Sequence, residues 1–314
     1  MHAVTIEDAA VAWRPQPDPE PGTDDLLVRV RAAGVCRGDL MQAAGMYPPP
    51  PGTTPPELPG LELAGEVVAA GPGCRRFGPG DRVMAVVVGA GQAELAVVPE
   101  MVALPVSDGV DWVTAGAIPE NYSTAHDALF SQCGLGPGER VCVHGAAGGV
   151  GTAAVELAVT AGAEVVATVR DEALRDGVAA LGATAVAPEA FEQHGPFDVV
   201  LELVGAPNMP VNLRALATGG RIAVIGVGAG LTAEVNLLAL MSARGRIHGS
   251  TLRPRPLAAK AEVARRVEHH VLPLLARGAL RVPVAATFPL SDPAAAYRRF
   301  AAGGKLGKIV LVDG

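Results

Sequence analysis

Aromatic side chains are scarce in this chain, 4% of its residues, so it offers few flat platforms on which bases or large rings could stack. Cysteine is also sparse. Cys36, Cys74, Cys133 and Cys142 lie far apart and form no C-x-x-C pair, which argues against a disulfide framework and against a knuckle-type zinc site. Charged residues make up only 18%, and the formal net charge is −7, so a broad basic face for nucleic acid or an anionic membrane is not expected. No apolar run reaches the ~18 residues of a membrane span without a glycine or a charge inside it. The opening MHAVTIEDAAVAW lacks the basic-then-apolar layout of a signal peptide, and a cytoplasmic location is the expectation. What remains is a soluble-type composition, 49% hydrophobic over 314 residues, with length for about two domains.

The most informative stretch is residues 141–151, VCVHGAAGGVG. A short apolar run ends in glycines, an alanine-rich helical stretch follows (Thr152 to Ala161), and a second apolar run comes at Val165–Val169. Strand, glycine turn, helix and strand make one βαβ unit. Glycines there let a pyrophosphate approach the amides of a helix N-terminus, where the dipole favours negative charge. The turn departs from G-x-G-x-x-G in having Ala147 at a glycine position; Ala147, Gly148, Gly149 and Val150 are its expected cofactor-binding residues.

Either side of this unit the pattern differs. Residues 1–117 read as short strands (26–31, 65–70, 81–88) punctuated by glycine and proline, which suggests a small barrel. The prolines at 48–51 fix an extended loop. From Ile118 helix and strand alternate: helical sequence at 171–181 and 210–217, strands at 197–204, 221–226 and 246–250. That is a doubly wound parallel sheet. A long helix over 257–277, interrupted near Pro273, a short helix at 294–301 and a strand at 308–312 close the chain.

Several segments together resemble the zinc-independent quinone oxidoreductase (zeta-crystallin-like) branch of the medium-chain dehydrogenase/reductase superfamily. They are GVCRGDL (34–40), AGMYPP (44–49), PGLELAG (59–65), AIPENYSTA (117–125), the glycine turn and GKIVL (307–311), in order along the whole chain. The resemblance implies an α/β fold with a GroES-like β-rich catalytic domain (1–117 and 252–314) around a Rossmann domain (118–251). It also implies NADPH, and a homodimer joined through the last Rossmann strand.

Zinc relatives carry a cysteine in the first segment and G-H-E in the third. Here Cys36 stands in the first, but Leu61 replaces the histidine, and Cys36 with Glu62 falls short of three ligands; no metal is expected. Cys36 either lines the substrate cleft or is a packed thiol. The second Rossmann strand ends in Val169 and Arg170, where an NAD site would carry an acid, so Arg170, with Thr168 and Arg175 nearby, points to the 2′-phosphate of NADPH. Asp171 and Glu172 oppose that phosphate. Gly226, Val227 and Gly228 close a strand where ligands of such sheets bind, and Thr251 and Leu252 should flank the cofactor from the other side. By resemblance Tyr47, in the proline-fixed loop, is the hydrogen-bond donor to the acceptor oxygen; Asn121 and Thr124 meet the nicotinamide, and Tyr122 is a cleft wall. Asp39, Cys36 and Tyr47 are the polar groups offered to a substrate, since the first 117 residues contain no lysine. Three functions follow: an NADPH:quinone oxidoreductase with direct hydride transfer, an NADPH-dependent enoyl or alkenal reductase on the same scaffold, or a non-catalytic NADPH-binding protein.

Overall fold

The computed structural model describes residues 1–55 and 57–313. Its strands, in chain order, are β1 His2–Glu7, β2 Ala10–Pro15, β3 Asp25–Val35, β4 Glu62–Ala70, β5 Arg82–Val86, β6 Leu95–Pro99, β7 Leu104–Pro105, β8 Arg140–Val143, β9 Glu164–Thr168, β10 Thr184–Val186, β11 Phe197–Glu202, β12 Leu216–Val224, β13 Arg246–Gly249, β14 Val284–Pro289 and β15 Lys308–Val312.

Two larger sheets result. The GroES-like sheet has the order β14-β15-β3-β4-β5-β7, with β6 also paired to β3. The central strand β3 buries Leu26, Val28, Val30 and Ala32 on alternate positions, as a strand packed on one face must. The last strand, β15, lies antiparallel to β3 (Val310 opposite Gly34), so the chain's end returns to the sheet that its beginning built. The Rossmann-type sheet is parallel, ordered β10-β9-β8-β11-β12-β13. Strand order reverses between β8 and β11, and ligands of such sheets bind outside the carboxyl ends at that point. The glycine turn follows β8 there. One apolar core runs from Ala32, Ala64 and Met84 through Ile118, Ala125 and Leu129 to Val141 and Leu201, so the Pro119–His126 helix is packed between the two sheets.

The β1–β2 hairpin was not anticipated. Helix was expected at 210–217 but ends at Arg214, because Leu216 already pairs with Phe197 as the start of β12; that strand ends at Val224, two residues earlier than expected. At 171–181 only Arg175–Ala179 is α-helical, after a 3-10 turn that Asp171 caps through Ala173 N (3.1 Å). The long C-terminal helix is broken as Pro273 requires, into Leu257–His270 and Leu272–Ala276. Among the described residues no helix is long and apolar enough to cross a membrane.

Candidate active site

The glycine turn forms one wall of the site. Gly145 takes φ +64°, which suits glycine, and the Gly149–Thr160 helix begins with Gly148 at its cap and no capping side chain. Its first amides therefore have neither an intrahelical partner nor a cap, which is the condition of an anion site. A Cβ at Gly149 would lie 2.6 Å from the Asn121 amide, and one at Gly151 2.6 Å from Ala146 Cα. These two glycines serve packing; Gly148 is the one that leaves the turn open.

Beneath the turn runs a buried chain of hydrogen bonds. Gly145 N donates to Thr168 Oγ1 (3.3 Å), which lies 3.1 Å from His144 Nδ1. His144 Nε2 is 2.8 Å from Asn212 Oδ1, and Asn212 Nδ2 donates to Glu202 Oε2 (2.8 Å). The other carboxylate oxygen of Glu202 accepts from Val204 N (2.7 Å) and Gly205 N (2.8 Å). Burial holds the His144 pKa below its ordinary value, against the pull of Glu202. The network thus assigns a neutral ring with its proton on Nε2, and Thr168 donating to Nδ1. This chain ties together the carboxyl ends of β8, β9 and β11.

The opposite wall comes from the GroES-like sheet. A Cβ at Gly38 would meet Leu61 Cδ1 (2.7 Å), Cys36 Sγ (3.4 Å) and Tyr47 Cε1 (3.4 Å), so these three side chains converge on one spot. Tyr47 is half-buried, its hydroxyl 3.3 Å from Thr251 Oγ1; burial pushes its pKa up, so it acts as a hydrogen-bond donor and not as an acid. Cys36 is buried, and burial followed by the Asp39 and Glu120 charges pushes its thiol pKa well up, which makes it a packed group and not a thiolate. Asp39 is fully buried and accepts from Cys36 N (2.8 Å) and Gly60 N (3.0 Å); it holds the loops together instead of serving a substrate.

A charged cluster joins the two walls. Lys308 of β15 forms an ion pair with Glu62 of β4, lies 3.6 Å from Glu120 Oε2 and donates to Asn121 Oδ1 (3.3 Å). Glu62 also accepts from Glu120 N (2.9 Å). Glycine at position 34 is what allows this meeting, since a Cβ there would lie 2.5 Å from Lys308 Cε and 2.6 Å from Glu62 Cδ. Burial raises the Glu62 pKa to about 7 despite the pull of Lys308. Burial works against the Lys308 charge as well, yet Glu62 and Glu120 hold its pKa above the ordinary lysine value. Gly307, just before Lys308, donates its amide to Ala147 O (2.8 Å) and so latches the chain's end onto the glycine turn.

The expected cofactor residues are distributed as follows. Gly226 packs so closely on Leu203 that a Cβ would overlap its carbonyl, and Gly228 is exposed opposite Arg37, whose guanidinium would be 3.4 Å from a Cβ there. Thr124 is half-buried beside Glu120 (3.3 Å). Arg170 is exposed, whereas Val169 is buried and Arg175 donates to Val169 O (3.3 Å). Two expectations need correction. The Thr168 hydroxyl is engaged by His144 and Gly145 and supports the turn from below. Tyr122 is no cleft wall: it is buried, donating to Glu156 Oε2 (2.6 Å) between two helices. His270 is exposed, and its Nδ1 lies 2.9 Å from Nε2 of the buried His126.

Sequence reasoning missed Arg253 and Arg255, which follow Thr251 and Leu252. Arg253 is buried and donates to Tyr47 O (2.6 Å), Val88 O (2.8 Å) and Gln42 Oε1 (2.6 Å). Arg255 holds Asp127 (2.6 Å). One segment is thereby pinned both to the Arg37–Ala43 helix with the loops at Tyr47 and Val88 and to Asp127 just after the Pro119–His126 helix, and the arginine-rich TLRPR run after the last Rossmann strand was its signal in the sequence.

Residues 22–120 match the family described as "Alcohol dehydrogenase GroES-like domain", and residues 176–311 the one described as "Zinc-binding dehydrogenase". The chain is 30% identical over 308 residues to "Quinone oxidoreductase-like protein 2 homolog" of Nematostella vectensis, covering 92% of this chain and 82% of that protein. It is 35% identical over 318 residues to "Erythronolide synthase EryA2" of Saccharopolyspora erythraea, covering 97% of this chain but only 8% of that one; two further polyketide synthases are spanned to 4% and 14% of their length. Among solved structures, "mycobacterial Rv1454c complexed with NADPH" superposes with a TM-score of 0.87 at 26% identity, over 99% of this chain and 100% of that one.

Zinc, which the second description names, does not fit the donor set. Leu61 packs beside Cys36, Glu62 is held by Lys308, and among the described residues no three of His, Cys, Asp and Glu gather to hold a metal. A dinucleotide does fit, at the uncapped helix terminus above Gly148.

Proposed function

Because the chain belongs to the medium-chain dehydrogenase/reductase superfamily, we propose that it is an NADPH-dependent, zinc-free quinone oxidoreductase. It takes residues 1–117 with 252–314 as the catalytic part and 118–251 as the nucleotide-binding part. The observation that carries this reading is the convergence of Tyr47, Cys36 and Leu61 on Gly38, with the Tyr47 hydroxyl beside Thr251. Such a wall offers a hydrogen bond to an oxygen but no Lewis acid. It suits acceptors that delocalise negative charge onto oxygen by themselves.

The dihydronicotinamide of NADPH supplies the hydride when bound. The chain's residues bind, orient and exclude water. The glycine turn and Arg37 take the pyrophosphate. Arg170, exposed and without a carboxylate partner among the described residues, is the cation for a 2′-phosphate. Thr251 and Tyr47 close over the acceptor, and Tyr47 donates a hydrogen bond to the oxygen that gains charge. The exposed apolar side chains Leu231, Leu237, Leu238, Met241 and Ile247, on and before the edge strand β13, support a homodimer through that edge.

An activated-alkene substrate is the second reading, favoured by the similarity to polyketide synthases over 97% of the chain. The test is NADPH oxidation with an ortho-quinone and a 2-alkenal in parallel, for the wild type and Tyr47→Phe. The expected result is turnover of the quinone, with kcat/KM lowered about tenfold or more by Tyr47→Phe and the NADPH KM unchanged. Turnover of the alkenal alone would move the chain to the enoyl reductases. Tight NADPH binding with neither turned over would leave a binding role.

A further inference from the structure

A hydride brings two electrons and one hydrogen nucleus to the acceptor, and the oxygen left negative takes one proton more. The wall at Gly38 is a poor source for it. Burial pushes the pKa values of Tyr47 and Cys36 up, and Asp39 is fully buried and held by Cys36 N and Gly60 N. The Pro119–His126 helix offers a better one. Packed between the two sheets, it buries every residue except Glu120 and Thr124, which are half-buried. These two stand one turn apart, and the Thr124 hydroxyl donates to Glu120 Oε1 (3.3 Å). The other oxygen, Oε2, is buried, accepts no hydrogen bond among the described residues and lies 3.6 Å from Lys308 Nζ. Glu120 thus has one oxygen in the ion cluster and one on the helix's other accessible side chain. Their accessible side lies between the two walls of the site. Asn121, between them in the chain, packs on Gly149 of one wall, and the Glu120 charge reaches Tyr47 and Cys36 of the other.

The cluster holds two carboxyl groups and one cation. Glu62 and Glu120 keep Lys308 charged against its burial, so one negative charge is left over in a buried place. Two carboxyl groups that share one cation hold a proton between them more readily than either would alone. Burial raises the Glu62 pKa to about 7 against the pull of Lys308, and the Glu120 charge adds to the rise. The groups that face this proton are Lys308 on β15, Glu62 on β4, Glu120, Cys36 and Asp39 at the head of the Arg37–Ala43 helix, and Lys305 just before β15.

We propose that the Glu62–Glu120–Lys308 cluster is the proton store of the site, and that Glu120 passes its proton through the Thr124 hydroxyl to the acceptor oxygen. The relay rests on the reductase reading. After the hydride has arrived, the Thr124 O–H bond breaks as an O–H bond forms on the acceptor. Protonated Glu120 gives its proton to the Thr124 oxygen in the same movement, reversing the direction of the 3.3 Å bond. Where the stored proton sits on Glu62, Lys308 gives one proton to Glu120 and takes that of Glu62 in return. The cluster ends one proton poorer, and water at the accessible edge of Glu120 restores it. Thr124 is the catalytic residue here; Glu120, Glu62 and Lys308 act through it.

The test is NADPH oxidation with an ortho-quinone and a 2-alkenal on both sides of neutrality. Wild-type kcat is expected to hold below about pH 7 and to fall as pH rises through that value, where the store empties. Thr124→Val and Glu120→Gln should each lower kcat on the order of a hundredfold and remove that limb, and Thr124→Ser should recover most of what Thr124→Val loses. A second readout needs no turnover. The infrared carbonyl band of a protonated carboxyl group should titrate near pH 7 in the full chain alone, and at lower pH in Glu120→Gln, where Glu62 has Lys308 to itself. Turnover unchanged in Thr124→Val and Glu120→Gln overturns the relay alone. So does a lower kcat with the wild-type pH limb retained, which would mean a structural role. Absence of wild-type turnover with both acceptors overturns the reductase reading and the relay with it.

Discussion

Two buried polar clusters support the site, and they are built on opposite principles. Under the glycine turn, Thr168, His144, Asn212 and Glu202 form a directional relay in which each donor has an acceptor; it spans the carboxyl ends of three strands of one parallel sheet through Asn212 of the Met209–Arg214 helix. Glu62, Glu120 and Lys308, in contrast, are held largely by charge, and the cluster joins strands of the GroES-like sheet to the Pro119–His126 helix. The first fixes the shape of a turn. The second fixes the position of one half of the molecule against the other. A relay in which every polar atom is matched by a hydrogen bond holds through direction, whereas a buried ion cluster fails when one member is lost.

The sharpest way to break the contrast is Lys308→Met. It leaves two carboxylates facing each other without a cation, and removal of one partner from a buried pair costs about 3–5 kcal/mol. Urea unfolding is expected to show that loss, and Lys308→Met with Glu62→Gln should recover part of it. The sign with pH is fixed by Glu62. Its pKa is raised from 4.5 to about 7, so its contribution is full below 4.5 and is lost as pH rises through about 7. The single variant should therefore be at its worst above neutrality, and the double variant should lack that slope. Equal losses at low and high pH would mean that packing, not charge, explains the cluster.

The bridging helix supplies a test of opposite sign. Its last residue, His126, has a pKa lowered from 6.5 to about 4, by burial first and then by the His270 and Arg266 charges, with Asp127 opposing. A group depressed in the folded state contributes stability above its unfolded pKa and loses it as pH falls through the folded one. Stability should drop between about pH 6.5 and 4 by at most about 3 kcal/mol on this account. His126→Gln, which can still meet His270 Nδ1, should flatten that slope. An unchanged slope would put the acid sensitivity elsewhere.

The relay and the ion cluster were unequally legible in the sequence. The glycine turn announces itself because its chemistry is local: strand, glycines and helix are adjacent in the chain. The barrel and the parallel sheet were readable from apolar runs and their punctuation for the same reason. Lys308 meeting Glu62 depends on β15 returning to β3 and on the absent side chain of Gly34, contacts more than 200 residues apart in the case of the ion pair. No spacing rule reaches that far. Thr168 was placed at the right strand end but given the wrong partner, since its hydroxyl faces His144 inside the sheet and not the cleft. Tyr122 fell to the same cause. A helix in the middle of one continuous core has no exposed face to offer, and only its packing against the Gly149–Thr160 helix decides where the phenol points.

The smallest expected effect sharpens the comparison most, because it changes chemistry without removing a side chain. Glu202→Gln keeps the volume and one acceptor oxygen. That oxygen can still serve Val204 and Gly205, but the new amide then points its NH2 at the Asn212 NH2 that formerly donated to Glu202. If Asn212 flips to receive it, its own NH2 turns toward His144 Nε2, and the ring must move its proton to Nδ1. Thr168 must then stop donating to His144, and its bond from Gly145 N is put at risk. The relay can thus reverse as a whole or leave one donor unmatched, at a cost of about 1–3 kcal/mol. Reversal predicts a modest fall in Tm together with weaker NADPH binding, because the turn's first amide is re-aimed. A fall in Tm with NADPH affinity unchanged would mean that the relay holds the strands together and has no influence on the turn above it.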